Sequence, residues 1–124
     1  MERNDIYRLL HLGGNFAMFM ALGGIALHAS NGGTRASNTG RKLIAVLHGT
    51  ALFLILLGGF GMLARLHLMQ GGLPFWVYLK LAIWAVMAVM GTLLYRSPSM
   101  ARWMLVALPL LGMVAAYIGL TKPM

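Results

Sequence analysis

The stretch LHGTALFLILLGGFGMLARLH, residues 47–67, decides the fold class of this chain. Between His48 and Arg65 it contains no charged residue, and its apolar residues follow one another without the alternation of a half-buried strand. A run of this length matches the roughly 20 residues that an α-helix needs to cross a bilayer. The stretch therefore predicts a transmembrane helix. An isolated strand is disfavoured because lipid cannot satisfy its backbone hydrogen bonds.

The composition of the whole chain agrees with a membrane protein. Of its 124 residues, 60% are hydrophobic and 10% charged, whereas soluble domains have about 45–50% apolar and about 25% charged residues. A small water-soluble core could not bury such long apolar blocks. Residues 1–124 are therefore predicted to form a single integral membrane domain. The formal net charge of +8 is assigned to contacts with lipid headgroups rather than to nucleic acid.

Apolar blocks predict four spans, at about residues 9–29, 43–66, 73–94 and 103–120. The connections between them are rich in Gly, Pro, Ser and Asn, as loops are. The first block is kept as a span rather than a cleaved signal peptide, because it exceeds the usual 7–15-residue signal core. The predicted fold class is an all-α membrane protein, a four-transmembrane-helix bundle of two antiparallel hairpins.

The distribution of cations predicts the orientation. We call the side of the first and third connections the loop side, and the side of both termini the terminal side. The loop side carries Arg35, Arg41, Lys42, Arg96 and Arg102. The terminal side carries Arg3, Arg8, Arg65 and Lys122, together with the acids Glu2 and Asp5. The positive-inside tendency therefore places the loops in the cytoplasm and both termini outside it.

Small residues and a proline predict how the helices pack. Close helix contacts in lipid favour small side chains, which form stripes in the first and second spans: Gly13, Ala17, Ala21 and Gly24, then Gly58, Gly59 and Gly61. Pro109 predicts a kink in the fourth span because it removes a backbone donor.

Four histidines lie near the predicted membrane borders. At 1.5 Å per residue, His48 and His67 are roughly 28 Å apart and His11 and His28 roughly 26 Å apart, close to the hydrocarbon thickness. His28 with His48 and His11 with His67 would form one pair in each leaflet. Since imidazole is an axial haem ligand, these four residues are candidate haem b ligands.

Two observations favour a simpler interpretation of the histidines. The two members on each helix differ by roughly 100° around its axis, and interfacial imidazoles need no cofactor. His48 lies deepest, where an ionisable residue indicates function by default. The favoured interpretation is nevertheless an imidazole bonded to a neighbouring helix. No cofactor is favoured, and haem b is the alternative.

Lys80 is the one clear cation within an apolar block, and Trp76, Lys80 and Trp84 repeat at helical spacing. These three residues are candidates for contact with an anionic group or lipid, such as a quinone, a haem propionate or an anionic headgroup. The favoured alternative is that Lys80 extends to the headgroups while Trp76 and Tyr78 anchor the interface.

Catalysis and metal binding find no support in the residue inventory. The chain has no cysteine, which excludes disulfides and thiolate metal sites. No Asp or Glu follows Asp5, which excludes a carboxylate proton relay within the membrane. We therefore predict no catalytic residues and no metal site, and a protein that is not an enzyme is favoured.

A family resemblance is carried by the length, the four spans, His11, the segment FWVYLKLAIW (75–84) and the basic RSPSMARW (96–103). In these features the chain resembles the SirB type of small bacterial inner-membrane protein. The resemblance implies an inner-membrane protein whose family name comes from a regulatory effect. His11 and Lys80 are the matching positions, and the family assigns neither a role. His28 and His48 leave open a tie to four-helix b-type cytochromes or to CopD-like proteins.

Three function classes follow. A structural or accessory membrane subunit leads because it needs the fewest special residues. The alternatives are a haem-bearing electron-transfer protein and a transporter of a small molecule or metal. The expected partners are the lipid bilayer and either a larger membrane complex or further copies of the chain.

Overall fold

The computed structural model describes residues 3–122, which form four long helices and, within that range, no strand. Helix α1 spans Arg3–Ser30, α2 Arg41–Arg65, α3 Phe75–Leu93 and α4 Pro98–Thr121, with a 3₁₀ turn at Leu94–Arg96 between α3 and α4. All four are long and apolar enough to cross a membrane. The predicted all-α four-helix bundle is confirmed, and the chain is a multi-pass membrane protein.

Local signals in the sequence set the helix boundaries. Ser97 caps α4, since its Oγ accepts a hydrogen bond from the Met100 backbone N–H at 3.2 Å, and Pro98 occupies the first turn. Pro74 precedes α3 in an extended conformation. Helix α4 continues through Pro109, so the proline does not end the helix.

The helices pack in the cyclic order α1, α2, α3, α4. Helix α1 makes its most extensive contacts with α2 and then with α4. Helix α3 approaches α4 and, with still fewer close backbone contacts, α2. Helix α1 contacts every other helix. Helix α3 makes the fewest close contacts with the other helices and is therefore the least tightly packed of the four.

Two glycines allow the close packing of α1 on α2. A Cβ on Gly58 would lie 2.5 Å from the backbone N of His11 and the backbone O of Tyr7. A Cβ on Gly14 would lie 3.0 Å from the carbonyl oxygen of Ala51. Gly13, which was predicted to belong to the contact stripe, instead faces outward with no atom within 4 Å of its Cβ position. The other predicted stripe residues do pack inside the bundle: Ala17 against the core, Ala21 buried, and Gly24 beside Ile44 of α2.

Packing is uneven along the membrane normal. The loop half of the bundle contains the main buried cluster, in which Met18, Leu22 and Leu94 are at most 1% exposed. The terminal half has a smaller cluster, Leu63, Trp76, Val77 and Ile118. The bundle is consequently filled on the loop side and less completely filled on the terminal side.

Candidate functional site

A cavity of about 790 Å³ occupies the terminal half of the bundle. All four helices line it: the first half of α1, the second half of α2, the first part of α3 and the second half of α4. Most of its wall is apolar and includes Phe19, Ile55, Leu63, Met87 and Met113. The volume lies within the roughly 300–1,000 Å³ that is typical of small-molecule sites.

The polar groups of this cavity are few, and most of them lie toward the terminal side. They are Arg8, His11, Asn15, Trp76, Lys80, Trp84 and Lys122. An apolar wall with a small number of placed polar groups is the usual construction of a ligand site. The three candidates from α3, Trp76, Lys80 and Trp84, are thus brought together with His11, whereas the other three histidines do not line this cavity.

Lys80 lies inside the bundle and is half-buried. Its Nζ is 3.0 Å from the position that a Cβ on Gly119 would occupy, so the side chain reaches across to α4. Trp76 is 9% exposed, whereas Tyr78 is 56% exposed. Lys80 and Trp76 therefore face the cavity, and Tyr78 faces outward. The extension of Lys80 to the headgroups stays a prediction.

Lys122 approaches the same place from the end of α4. Its Nζ donates a hydrogen bond to the carbonyl oxygen of Gly119 at 2.9 Å and lies 5.6 Å from the centre of the Trp76 ring. Such a distance allows a cation–π contact. Two ammonium groups, those of Lys80 and Lys122, therefore lie around Gly119.

Within the described residues 3–122, no salt bridge links these ammonium groups to an acidic side chain. The chain contains two acids, Glu2 and Asp5. Asp5 approaches Arg8, with 3.9 Å between carboxylate and guanidinium, on the surface of α1. Lys80 and Lys122 thus place positive charge at an apolar cavity, and neither forms a salt bridge with another residue of the described part of the chain.

His11 is held in a defined orientation. Its Nδ1 donates a hydrogen bond to the carbonyl oxygen of Ile55 at 2.9 Å, which joins α1 to α2. Asn15 Nδ2 in turn donates to the carbonyl oxygen of His11 at 2.8 Å. Nε2 of His11 makes no hydrogen bond to a residue in the described range 3–122, so this nitrogen is the one with coordinating capacity.

His48 bonds to a neighbouring helix, which confirms the favoured interpretation. Its Nε2 donates to the carbonyl oxygen of Met87 at 3.0 Å. Gly91 makes room for the ring, because a Cβ there would lie 2.8 Å from His48 Cε1. The neighbouring pocket of about 150 Å³ is smaller than typical small-molecule sites.

His28 and His67 occupy two further, separate environments. His28 Nε2 bonds to the carbonyl oxygen of Thr34 at 2.8 Å and to Ser37 Oγ at 3.0 Å, which ties the first loop to α1. His67 is exposed in the turn after α2, with φ of 56°. No group of three or more potential metal ligands occurs among the residues that the structure describes.

Each histidine of the two predicted pairs makes its own contacts with the protein. On the loop side, Nε2 of both His28 and His48 is already bonded to protein atoms. On the terminal side, His11 packs against Gly58 and Gly59 of α2, whereas His67 lies beyond the end of that helix. The hairpin places each pair on a common side of the membrane but does not bring its members into one cavity.

Sequence reasoning missed Arg8, Asn15 and Lys122 as cavity residues. Their position on the terminal side was predictable from the order of the spans. Gly119 is the residue from which their proximity could have been predicted, because a glycine on α4 leaves space for a long side chain from a neighbouring helix.

Comparison of the chain with family models, curated proteins and solved structures finds no match. The fold and the cavity together define the class of the molecule as a multi-pass membrane protein with an intramembrane cavity between its helices.

Proposed function

We propose that this protein is a non-catalytic integral protein of a bacterial inner membrane that holds a lipid-soluble ligand between its helices. The observation that carries the proposal is the cavity of about 790 Å³ in the terminal half, beside a loop half that is more fully packed and has a pocket of about 150 Å³. This cavity is open on one side, where Met113 is 67% exposed, and its inner apolar walls lack packing partners within the bundle. An apolar ligand supplies those partners.

The proposed setting follows from the charge distribution. With both termini outside the cytoplasm, the cavity lies in the outer leaflet and its cations lie toward the outer surface. A ligand-holding protein without catalytic groups suits an accessory subunit of a larger membrane complex, and the SirB-like layout is compatible with that role. Copies of the same chain are an alternative partner.

Transport is a weaker candidate. A transported molecule needs a path through the whole bundle, and polar groups to stabilise it along that path. Leu22, Ala26 and Leu94 pack in the loop half and have no exposed surface. The cavity therefore supports binding from one side better than passage between sides.

Haem binding is the second candidate because one observation favours it. His11 lines the cavity, is oriented through Nδ1 and leaves Nε2 without a bond to a described residue, as an axial ligand requires. Lys80 and Lys122 would then face the propionates, and haem would supply one-electron chemistry. A Soret band in purified protein that His11→Ala removes and His67→Gln retains would support this candidate over a colourless ligand.

Fluorescence quenching by a brominated lipid tests the proposed function. Trp84 lines the cavity, whereas Trp103 is 69% exposed and does not line it. The test uses detergent-purified protein with Trp84 as its single tryptophan, made by Trp76→Phe and Trp103→Phe, and titrates it with dibrominated stearate. We expect saturable quenching of Trp84, and only gradual, non-saturable quenching in a protein that retains Trp103 alone.

A matched pair of substitutions on α4 controls for changes outside the cavity. Ala115 lines the cavity, and its neighbour Val114 is exposed at 48% and does not. Ala115→Phe should fill part of the cavity and abolish saturable quenching, whereas Val114→Phe should preserve it. Equal quenching in the two variants, or no saturable quenching in either, contradicts the proposed function.

A further inference from the structure

We propose that Lys80 and Lys122 together bind the head group of a single-chain anionic amphiphile whose apolar tail lies in the cavity. This inference rests on the proposed function and adds the charge and the chain number of the ligand. A long-chain carboxylate or a single-chain phosphate ester is the chemistry that the site selects.

The geometry places both ammonium groups near one anion position. Lys80 Nζ lies 3.0 Å from the Cβ position of Gly119, and Lys122 Nζ is 2.9 Å from the carbonyl oxygen of the same residue. One side chain comes from α3 and the other from the end of α4. An oxyanion beside Gly119 is therefore within reach of donors from two helices. Ammonium–oxyanion hydrogen bonds are among the stronger ones in proteins.

Electrostatics favours an anion at this position. Lys80 is half-buried at an apolar cavity, where a charge without a partner is less well stabilised than in water. Arg8 also lines the cavity but approaches Asp5, at 3.9 Å, and no acidic side chain follows Asp5 in the chain. A negative ligand head group would supply a counter-charge to Lys80 and Lys122, neither of which forms a salt bridge within residues 3–122.

The dimensions of the cavity favour one apolar tail. From Lys80 to Met87, α3 rises roughly 10 Å, and the cavity wall continues along this length through Ile83 and Trp84. Its volume of about 790 Å³ is that of a site for one drug-sized molecule. A single acyl chain is of this size, whereas a diacyl phospholipid is considerably larger.

Comparison of an anionic and a neutral ligand tests the inference. Dibrominated stearate and its methyl ester have the same tail and differ in head-group charge. Both are titrated into the single-Trp84 protein at a pH at which the carboxylate is ionised. We expect the carboxylate to bind on the order of tenfold more tightly, the effect of one charge-assisted hydrogen bond. Saturable binding of both at equal affinity overturns the inference and leaves the proposed function intact.

Lysine substitutions identify the head-group contact. Lys80→Met should weaken carboxylate binding on the order of tenfold and leave methyl ester binding unchanged, while Lys80→Arg should retain most of the affinity. Lys42→Met is the control for net charge, because Lys42 is exposed on the loop side. If Lys80→Met does not fold, Lys122→Met at the exposed end of α4 provides the same test. Equal weakening by Lys42→Met contradicts the inference.

Chain number is tested by adding a dibrominated phosphatidylglycerol. This lipid has an anionic head group and two tails. Its charge therefore fits the two lysines, whereas its volume exceeds that of the cavity. Titrated alone into the single-Trp84 protein, it should quench Trp84 with a weaker affinity than dibrominated stearate. Tighter binding of the diacyl lipid would overturn the assignment of a single-chain ligand.

Discussion

His48 and Trp84 form reciprocal hydrogen bonds between the same two helices. Nε2 of His48 on α2 donates to the carbonyl oxygen of Met87 on α3, and Nε1 of Trp84 on α3 donates to the carbonyl oxygen of Leu52 on α2. These helices make few close backbone contacts. Because polar bonds between helices contribute to association in lipid, this pair stabilises the wall of the cavity where packing is weakest.

Loss of the hydrogen bond between His48 and Met87 should therefore lower the stability of the bundle, and no cofactor should be lost with it. We expect His48→Ala to lower the free energy of unfolding by about 1 kcal/mol, the usual contribution of such a bond in a membrane bundle. His67→Gln should be nearly neutral, since His67 is exposed beyond the end of α2. Unfolding in increasing SDS measures both variants. Equal destabilisation at the two positions would contradict the assigned role of His48.

A second prediction concerns the contact between α1 and α2. Gly58→Ala places a Cβ 2.5 Å from backbone atoms of His11 and Tyr7, and overpacking of this kind costs about 1–3 kcal/mol. Gly13→Ala is the matched control, because its Cβ meets no atom within 4 Å. We expect the control to be neutral or to stabilise α1 by up to about 1 kcal/mol. Similar unfolding curves for the two variants would show that α1 and α2 pack through another face.

The topology gives a third prediction. The chain has no native cysteine, so single cysteines at three exposed positions, Ala36, Gln70 and Ser99, report their side of the membrane. An impermeant thiol reagent added to intact cells should give the same result with Ala36→Cys and Ser99→Cys, which lie on one side of the membrane. It should give the opposite result with Gln70→Cys, which lies on the other side. With the termini outside, Gln70→Cys is the position that reacts. Reaction of Ala36→Cys and Gln70→Cys from the same side is incompatible with four spans.

The sequence predicts the spans well because lipid imposes a simple rule on each one. Every span must be long, apolar and helical, whatever its neighbours are. The predicted block 43–66 and the observed helix Arg41–Arg65 therefore nearly coincide. The depth of His48 and its bond to another helix also followed from its position within one span.

Rotation of each helix was harder to predict, because the facing helix decides it. The stripe on α1 was expected to include Gly13, whereas Gly14 makes the contact, since Ala51 and Ile55 of α2 meet it. Lys80 was expected to extend to the headgroups, and no facing helix was assigned to it. Its inward direction depends on space at Gly119, a residue on a different helix. A short apolar helix with aromatic residues on several sides has no sequence signal strong enough to fix that direction.

Native mass spectrometry of protein purified from its own membrane tests the central claim most directly. If the cavity holds a single-chain amphiphile, the wild-type protein should carry one adduct with the mass of such a molecule. Val114→Phe should retain that adduct, and Ala115→Phe, which fills the cavity, should lose it. Wild-type protein without any adduct, or an adduct that persists equally in Ala115→Phe, would contradict the account.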